Sequence, residues 1–163
     1  MTEWRTLTNP ELVELVRKLR ALDWSWRLAD AEQVAAQLGW QIERIRPVAV
    51  VLDTGLGPGS GRIRGRDGVA TEIEARVTSY TTDDAAGRDR TRTAFAEMTA
   101  ALSAEFGAPT TRVPGVNPRV RWAGPATTTV LRDSGVSVAL HLVTNEVLAR
   151  EDLIEELEQQ GLP

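Results

Sequence analysis

Cysteine is absent from the 163 residues, and histidine occurs once, at His141. The first absence excludes a disulfide scaffold, a thiolate metal site and a cysteine nucleophile together. The second excludes a metal centre built on paired histidines within one chain. Lysine is nearly missing as well, with Lys18 standing alone among the basic residues and arginine supplying the rest. Aromatic residues make up only 5%, and five of them are Trp. Long apolar runs are lacking: Val48-Ala49-Val50-Val51-Leu52 suits a strand and falls far short of the roughly 20 residues a membrane span needs. The start of the chain shows no basic segment followed by an apolar run, so no signal peptide is expected and a cytoplasmic location is the default.

What is present describes an ordinary globular chain: 42% apolar, 26% charged, and of a length that suits one domain over 1–163. The heavy use of Arg, Ala and Gly points to a GC-rich genome and an actinobacterial source. Net charge is −4, which argues against nucleic acid as a partner, because that affinity rests on an excess of basic residues. The acid is concentrated at the end. Glu146, Glu151, Asp152, Glu155, Glu156 and Glu158 face only Arg150, so an acidic helix over 146–161 follows a nearly neutral body. Such a helix suits a basic protein partner, or else forms a solvated face.

Thr8-Asn9-Pro10-Glu11 reads as a capping box ahead of a helix whose stripe is Leu12, Leu15, Val16, Leu19 and Leu22. A second helix begins at a cap on Asp30, with Gln33 in the reciprocal position, and ends at Gly39. Trp40 to Leu52 reads as strand, with Pro47 demanding a bulge, a break or an edge. Asp53 to Gly61 is a Gly-rich mobile loop. Val69 to Tyr80 alternates as a strand, with Val69, Thr71, Ile73, Ala75 and Val77 on its apolar face. Its hairpin partner, 61–65, offers two registers. A two-residue Asp67-Gly68 turn places Arg62 and Arg64 among the apolar residues. A three-residue loop pairs Ile63 with Thr71 and Arg62 with Glu72, keeping the arginines wet, and is the expected register. A helix from Thr82 to Phe106 follows, with Thr91, Phe95, Met98, Leu102 and Phe106 inward. After a loop over 110–118, a meander of Val120–Trp122, Thr127–Arg132 and Val136–Leu142 leads into the last helix, with a break expected near Arg150. The pattern predicts an α+β fold: an antiparallel sheet of about five to six strands with helices mainly on one face.

Few residues carry chemistry. Val51-Leu52-Asp53-Thr54-Gly55 resembles the active-site turn of aspartic proteases, in which two such aspartates share a proton. The helical start and the lack of a later apolar-apolar-Gly element favour a plain turn at Asp53. Gly55, Gly57, Gly59 and Gly61 lead into a strand rather than a helix, so they form no phosphate cradle. Glu72 and Glu74 share one strand face at a spacing that permits acid–base work, and more simply form an exposed face beside Arg62 and Arg76. His141 needs partners from elsewhere in the fold and reads as a surface or hydrogen-bonded residue. Trp24 and Trp26, in a short link, are candidates for a partner contact.

The Leu-Asp-Trp-Ser-Trp link, the Leu-Gly-Trp helix end and the Arg-Val-Arg-Trp-Ala-Gly-Pro string are similar to a family of small uncharacterised actinobacterial proteins. That resemblance implies a role beside secreted polymorphic toxins, as immunity proteins or secretion chaperones. The expected function is therefore non-enzymatic: a protein that neutralises a cognate toxin by direct binding, without cofactor or metal. Trp24, Trp26, Glu151, Asp152, Glu155, Glu156 and Glu158 would meet a basic toxin domain. The alternatives are a chaperone homodimer for an effector and a carboxylate-dependent hydrolase. A pocket gathering Asp53, Glu72, Glu74 or His141 would favour the last.

Overall fold

The capping box forms as the sequence requires. In the computed structural model, which describes residues 4–161, the Thr8 hydroxyl accepts from the Glu11 N–H at 3.3 Å and the Glu11 carboxylate accepts from the Thr8 N–H at 2.9 Å. These two bonds start α1 (Asn9–Arg20), which buries Leu12, Val16 and Leu19. Thr8→Ala is expected to cost about 1 kcal/mol, read as a lower midpoint in urea unfolding. A single 3₁₀ turn (Leu28–Asp30) precedes α2 (Ala31–Leu38). Asp30 does not cap α2 as expected. Its carboxylate is taken by the Ser25 hydroxyl at 2.6 Å, which fixes the Trp link instead. Gly39 ends α2 in the left-handed conformation that favours Gly (φ 72°).

Eight strands follow in one antiparallel sheet: β1 (Gln41–Arg46), β2 (Ala49–Asp53), β3 (Gly61–Arg66), β4 (Val69–Arg76), β5 (Thr111–Val113), β6 (Arg119–Ala123), β7 (Thr127–Asp133) and β8 (Val138–Thr144). Their spatial order is β1-β2-β3-β4-β8-β7-β6-β5. Five to six strands is therefore an undercount. The Trp40–Leu52 segment splits at Pro47 into two paired strands, Arg46 meeting Ala49, and the supposed loop over 110–118 contains the short edge strand β5. Between β4 and β5 runs α3 (Ala85–Phe106), started by the Asp84 carboxylate accepting from the Gly87 N–H at 2.8 Å. The acidic helix α4 (Asn145–Gln159) leaves β8 with no intervening loop and continues through Arg150 without the expected break.

The β3–β4 hairpin corrects one expectation and keeps its physical reason. Asp67 (φ 53°) and Gly68 (φ 80°) form a two-residue turn of the primed type, pairing Arg66 with Val69. A bulge at Thr71 then restores the face parity, so Ile63 meets Ile73, Arg64 meets Glu72 and Arg62 meets Glu74. The arginines stay off the apolar face, as their charge demands, but a bulge achieves it rather than a longer loop. Before the bulge the faces are exchanged: Ala70 is buried and Val69 is exposed. The Gly-rich stretch after β2 is also tied down rather than free. Asp53 accepts from the Gly55 and Gly57 N–H groups, Glu43 accepts from the Gly59 N–H, and the Ser60 hydroxyl accepts from the Thr54 N–H.

The core lies on one face of the sheet, where Val50, Leu52, Ile63, Ile73, Leu140, Leu142 and Leu131 meet α1 and α3 through Leu12, Val16, Leu19, Met98 and Leu102. The opposite face follows from the strand register and carries Arg62, Arg64, Glu72, Glu74, His141, Val130, Arg132, Arg119 and Arg121. It is not an open wet face. Ion pairs and a few apolar side chains hold α4 against its β6–β7–β8 part.

Candidate functional site

The chemistry converges between α4 and the polar face of the sheet. Register places Glu74 opposite His141 and Glu72 opposite Val143 on β4 and β8, so Glu72 reaches His141 diagonally. The His141 Nδ1 atom is hydrogen-bonded to the Glu72 carboxylate. His141 is 6% exposed, and its Nε2 atom has no hydrogen-bond partner among the described residues. Burial pushes the Glu72 carboxyl up, but the hydrogen bond and charge of His141, helped by Arg64 and Arg132, outweigh it and hold the group below its usual value. Glu74 pairs with Arg64 at 3.3 Å. Arg62 stays a neighbour, opposite Glu74 rather than Glu72, while the side-chain partners of the two carboxylates are His141 and Arg64, and Arg76 turns instead to the Thr78 carbonyl.

A cavity of about 160 Å³ opens beside His141, floored by Glu72, His141, Val130 and Val143 and roofed by Leu148 and Glu151 of α4. Arg132 and Glu151 are exposed residues at its rim. Partial burial, then the charge of Glu72, raises the Glu151 carboxyl above its usual range. Neither Arg132 nor Glu151 has an ion-pair partner among the described residues. Two wider clefts, of about 710 and 630 Å³, lie where Trp4 and Arg90 meet the start of α3. Arg90 covers the Trp4 ring there, and Arg76 lies 4.1 Å from the centre of the Tyr80 ring. Among the described residues, no ion pair lines either one.

The acids of α4 divide by direction. Asp152 accepts both ends of the Arg121 guanidinium at 2.8 Å, and Glu155 pairs with Arg119 at 3.1 Å. The hydrogen bonds to Arg121 hold the Asp152 carboxyl below its usual range against partial burial. Glu156 and Glu158 face solvent. Leu153 and Ile154 are 55% and 51% exposed, and α4 buries none of its residues. Sequence reasoning names the acids but cannot assign these directions, since β6 supplies the arginines from a distant part of the chain.

The Trp link is mostly structural. Trp24 is buried and its ring lies 5.1 Å from that of Trp26. The Trp26 carbonyl accepts from the Ala70 N–H at 2.8 Å, which docks the link onto the β3–β4 hairpin. Trp26 keeps part of its ring accessible in a cleft of about 280 Å³ beside Trp122 and the β6–β7 turn. Asp53 sits in its own turn, away from Glu72, Glu74 and His141, so the structure gathers three of the four suggested acid–base residues and leaves the fourth out. Among the described residues there is no cluster of His, Asp and Glu able to hold a metal, and no helix is long and apolar enough to cross a membrane.

No curated protein and no solved structure matches the chain. Residues 10–144 match a family of unknown function (DUF6301), a span that ends where α4 begins. On that match, the chain belongs to the family of unknown function DUF6301.

Proposed function

We propose that the chain is a non-enzymatic, cytoplasmic protein-binding domain that neutralises a cognate toxin by docking it on the outer surface of α4. One observation supports this reading above the rest: α4 buries none of its residues, yet it presents Leu153 and Ile154 to solvent beside Glu156 and Glu158. An apolar strip flanked by acid suits a partner with an apolar ridge flanked by basic residues. Charge would speed the encounter, and burial of the strip would slow release. Asp152 and Glu155 have a different role in this reading. Their pairs with Arg121 and Arg119 hold the helix in place, so the candidates for direct contact narrow to Glu156 and Glu158 with the two apolar residues. Trp26 adds a partly accessible aromatic elsewhere.

Co-expression with the product of an adjacent effector gene tests the reading. The wild-type chain is expected to restore growth and form a 1:1 complex. The double variant Leu153→Asp, Ile154→Asp should weaken that complex by about 2 kcal/mol or more, roughly 30-fold. Both residues are exposed, so the variant should fold normally. Lack of protection against every adjacent effector sinks the reading. The same strip also supports a chaperone homodimer: light scattering that shows a dimer, converted to a monomer by the double variant, would select that alternative. The hydrolase alternative draws on the cavity at His141. No Ser, Thr or Tyr hydroxyl lines that cavity, so water or one of its carboxylates would have to serve as nucleophile.

A further inference from the structure

We propose that the cleft between the start of α3 and the segment after β4 binds a small organic anion, an aromatic ring carrying a carboxylate or phosphate group, held by Arg76 and Arg90 against the rings of Tyr80 and Trp4. This inference is independent of the toxin-binding reading, which concerns the outer surface of α4.

Backbone pairing brings these four side chains to one place. The Leu7 N–H donates to the Val77 carbonyl at 2.9 Å and the Ser79 N–H to the Arg5 carbonyl at 2.7 Å, so the two segments run antiparallel about a Thr6–Thr78 bridge. Two residues further along that register, Trp4 lies across from Tyr80 on the same side. Gly87 draws in α3: a Cβ there would lie 1.8 Å from the Thr82 carbonyl oxygen, so only Gly lets the segment after β4 lie this close to the helix. Arg90, three residues on from Gly87 and on the same helix face, lies 5.4 Å from the centre of the Trp4 ring. Arg76 lies 4.1 Å from the centre of the Tyr80 ring. All four side chains line one cleft of about 710 Å³, which Leu56 of the Gly-rich turn completes.

Arg76 is only 9% exposed, and a buried arginine ordinarily has an acidic partner. Among the described residues neither Arg76 nor Arg90 has one. Nη1 of Arg76 donates to the Thr78 carbonyl at 3.2 Å, and Nε is shut off from solvent. Nη2 has no partner among the described residues and is not shut off, so it is the donor left to the cleft. The Tyr80 ring face contributes about 0.5–2 kcal/mol to the cation but offers no lone pair to its N–H groups. The acids close by are committed: Asp84 accepts from the Gly87 N–H and the Thr82 hydroxyl, and Asp83 pairs with Arg88. No Asp or Glu lines this cleft, whereas Asp89 and Glu97 line the adjoining one. An anionic group is therefore drawn to the Arg76 side, where a carboxylate or phosphate meets guanidinium donors. Tyr80, 64% exposed, and the partly exposed Trp4 offer flat apolar surface for an attached ring. The volume lies in the range of small-ligand sites, roughly 300–1,000 Å³, and exceeds what a bare oxyanion fills.

Tyr80 is the sole tyrosine, so protein labelled on tyrosine gives one set of ring resonances, at the site itself. Phenyl phosphate is expected to shift them saturably, with an affinity about tenfold above that of inorganic phosphate. Benzoate in a second arm separates a carboxylate from a phosphate preference, and saturable binding of either aryl anion supports the site. Glu3 precedes Trp4 in the chain, so each titration is repeated on Glu3→Gln to remove any competition from that acid. Arg90→Gln, at an exposed position, should fold normally and weaken binding about tenfold. Arg76→Gln should weaken it at least as much, and Arg90→Gln keeps the test decisive if that buried replacement fails to fold. Arg88→Gln, two residues from Arg90 but outside the cleft, should leave affinity unchanged. Four results would overturn the proposal: no saturable shift with either aryl anion in wild type and Glu3→Gln, an Arg90→Gln affinity equal to wild type, a loss in Arg88→Gln as large as in Arg90→Gln, or neutral benzyl alcohol binding as tightly as phenyl phosphate.

Discussion

His141→Leu is expected to cost about 3 kcal/mol or more, because it strands the Glu72 carboxylate beneath α4 without its partner. The side chains of Glu72 and His141 are only 14% and 7% exposed, so water entering the neighbouring cavity offsets the lost contact only in part. The double replacement Glu72→Leu, His141→Leu should recover most of the loss, since two apolar groups on β4 and β8 would pack against Val130, Val143 and Leu148. Urea unfolding of the wild type, His141→Leu, Glu72→Leu and the double variant gives the coupling directly. A single-variant cost below about 1 kcal/mol would mean that the pair is solvated and that α4 does not shield it. The pair also sets a pH limit. Folding lowers the Glu72 carboxyl from its ordinary value of 4.5, so its contribution is complete above that value and is lost as pH falls through the lower, folded one. Wild-type protein should therefore lose stability on acidification more steeply than Glu72→Gln.

Two leucines give the second large contrast. Leu102→Ala on α3 is expected to cost about 2–5 kcal/mol, because Leu102 is wholly buried among α1, α3 and the sheet and its loss opens a cavity. Leu153→Ala on α4 should stay within about 0.5 kcal/mol, since that side chain faces solvent. Both belong to helices with comparable apolar spacing, yet only one faces a core. The same unfolding measurement separates them. A cost for Leu153→Ala comparable to that for Leu102→Ala would place α4 in the folding core and remove the argument for a free outer strip.

Local devices were largely legible before any fold was known. The Thr8–Glu11 capping box, the Gly39 helix end and the stripes of α1 and α3 depend on residues within a turn or two of each other, and each forms as written. So did the refusal of Arg62 and Arg64 to join the apolar face, which one-residue parity enforces. The means were not legible: a two-residue turn followed by a bulge at Thr71 and a three-residue loop without a bulge satisfy parity equally well in the sequence pattern. β5 escaped notice because an edge strand of three residues, held from one side by β6, needs no alternation of its own.

Sequence alone thus determined the composition-level exclusions, the helices, the strand-forming segments other than β5 and the separation of a nearly neutral body from an acidic end. Only the tertiary structure decided what those acids do. Pairing β4 with β8 joins residues 69 positions apart and sets Glu72 on His141. Laying α4 across β6 turns Asp152 and Glu155 inward and leaves Leu153 and Ile154 outside. Local periodicity fixes which residues share a face of an element, but the partner of that face depends on long-range strand pairing, for which no neighbouring residue carries a signal.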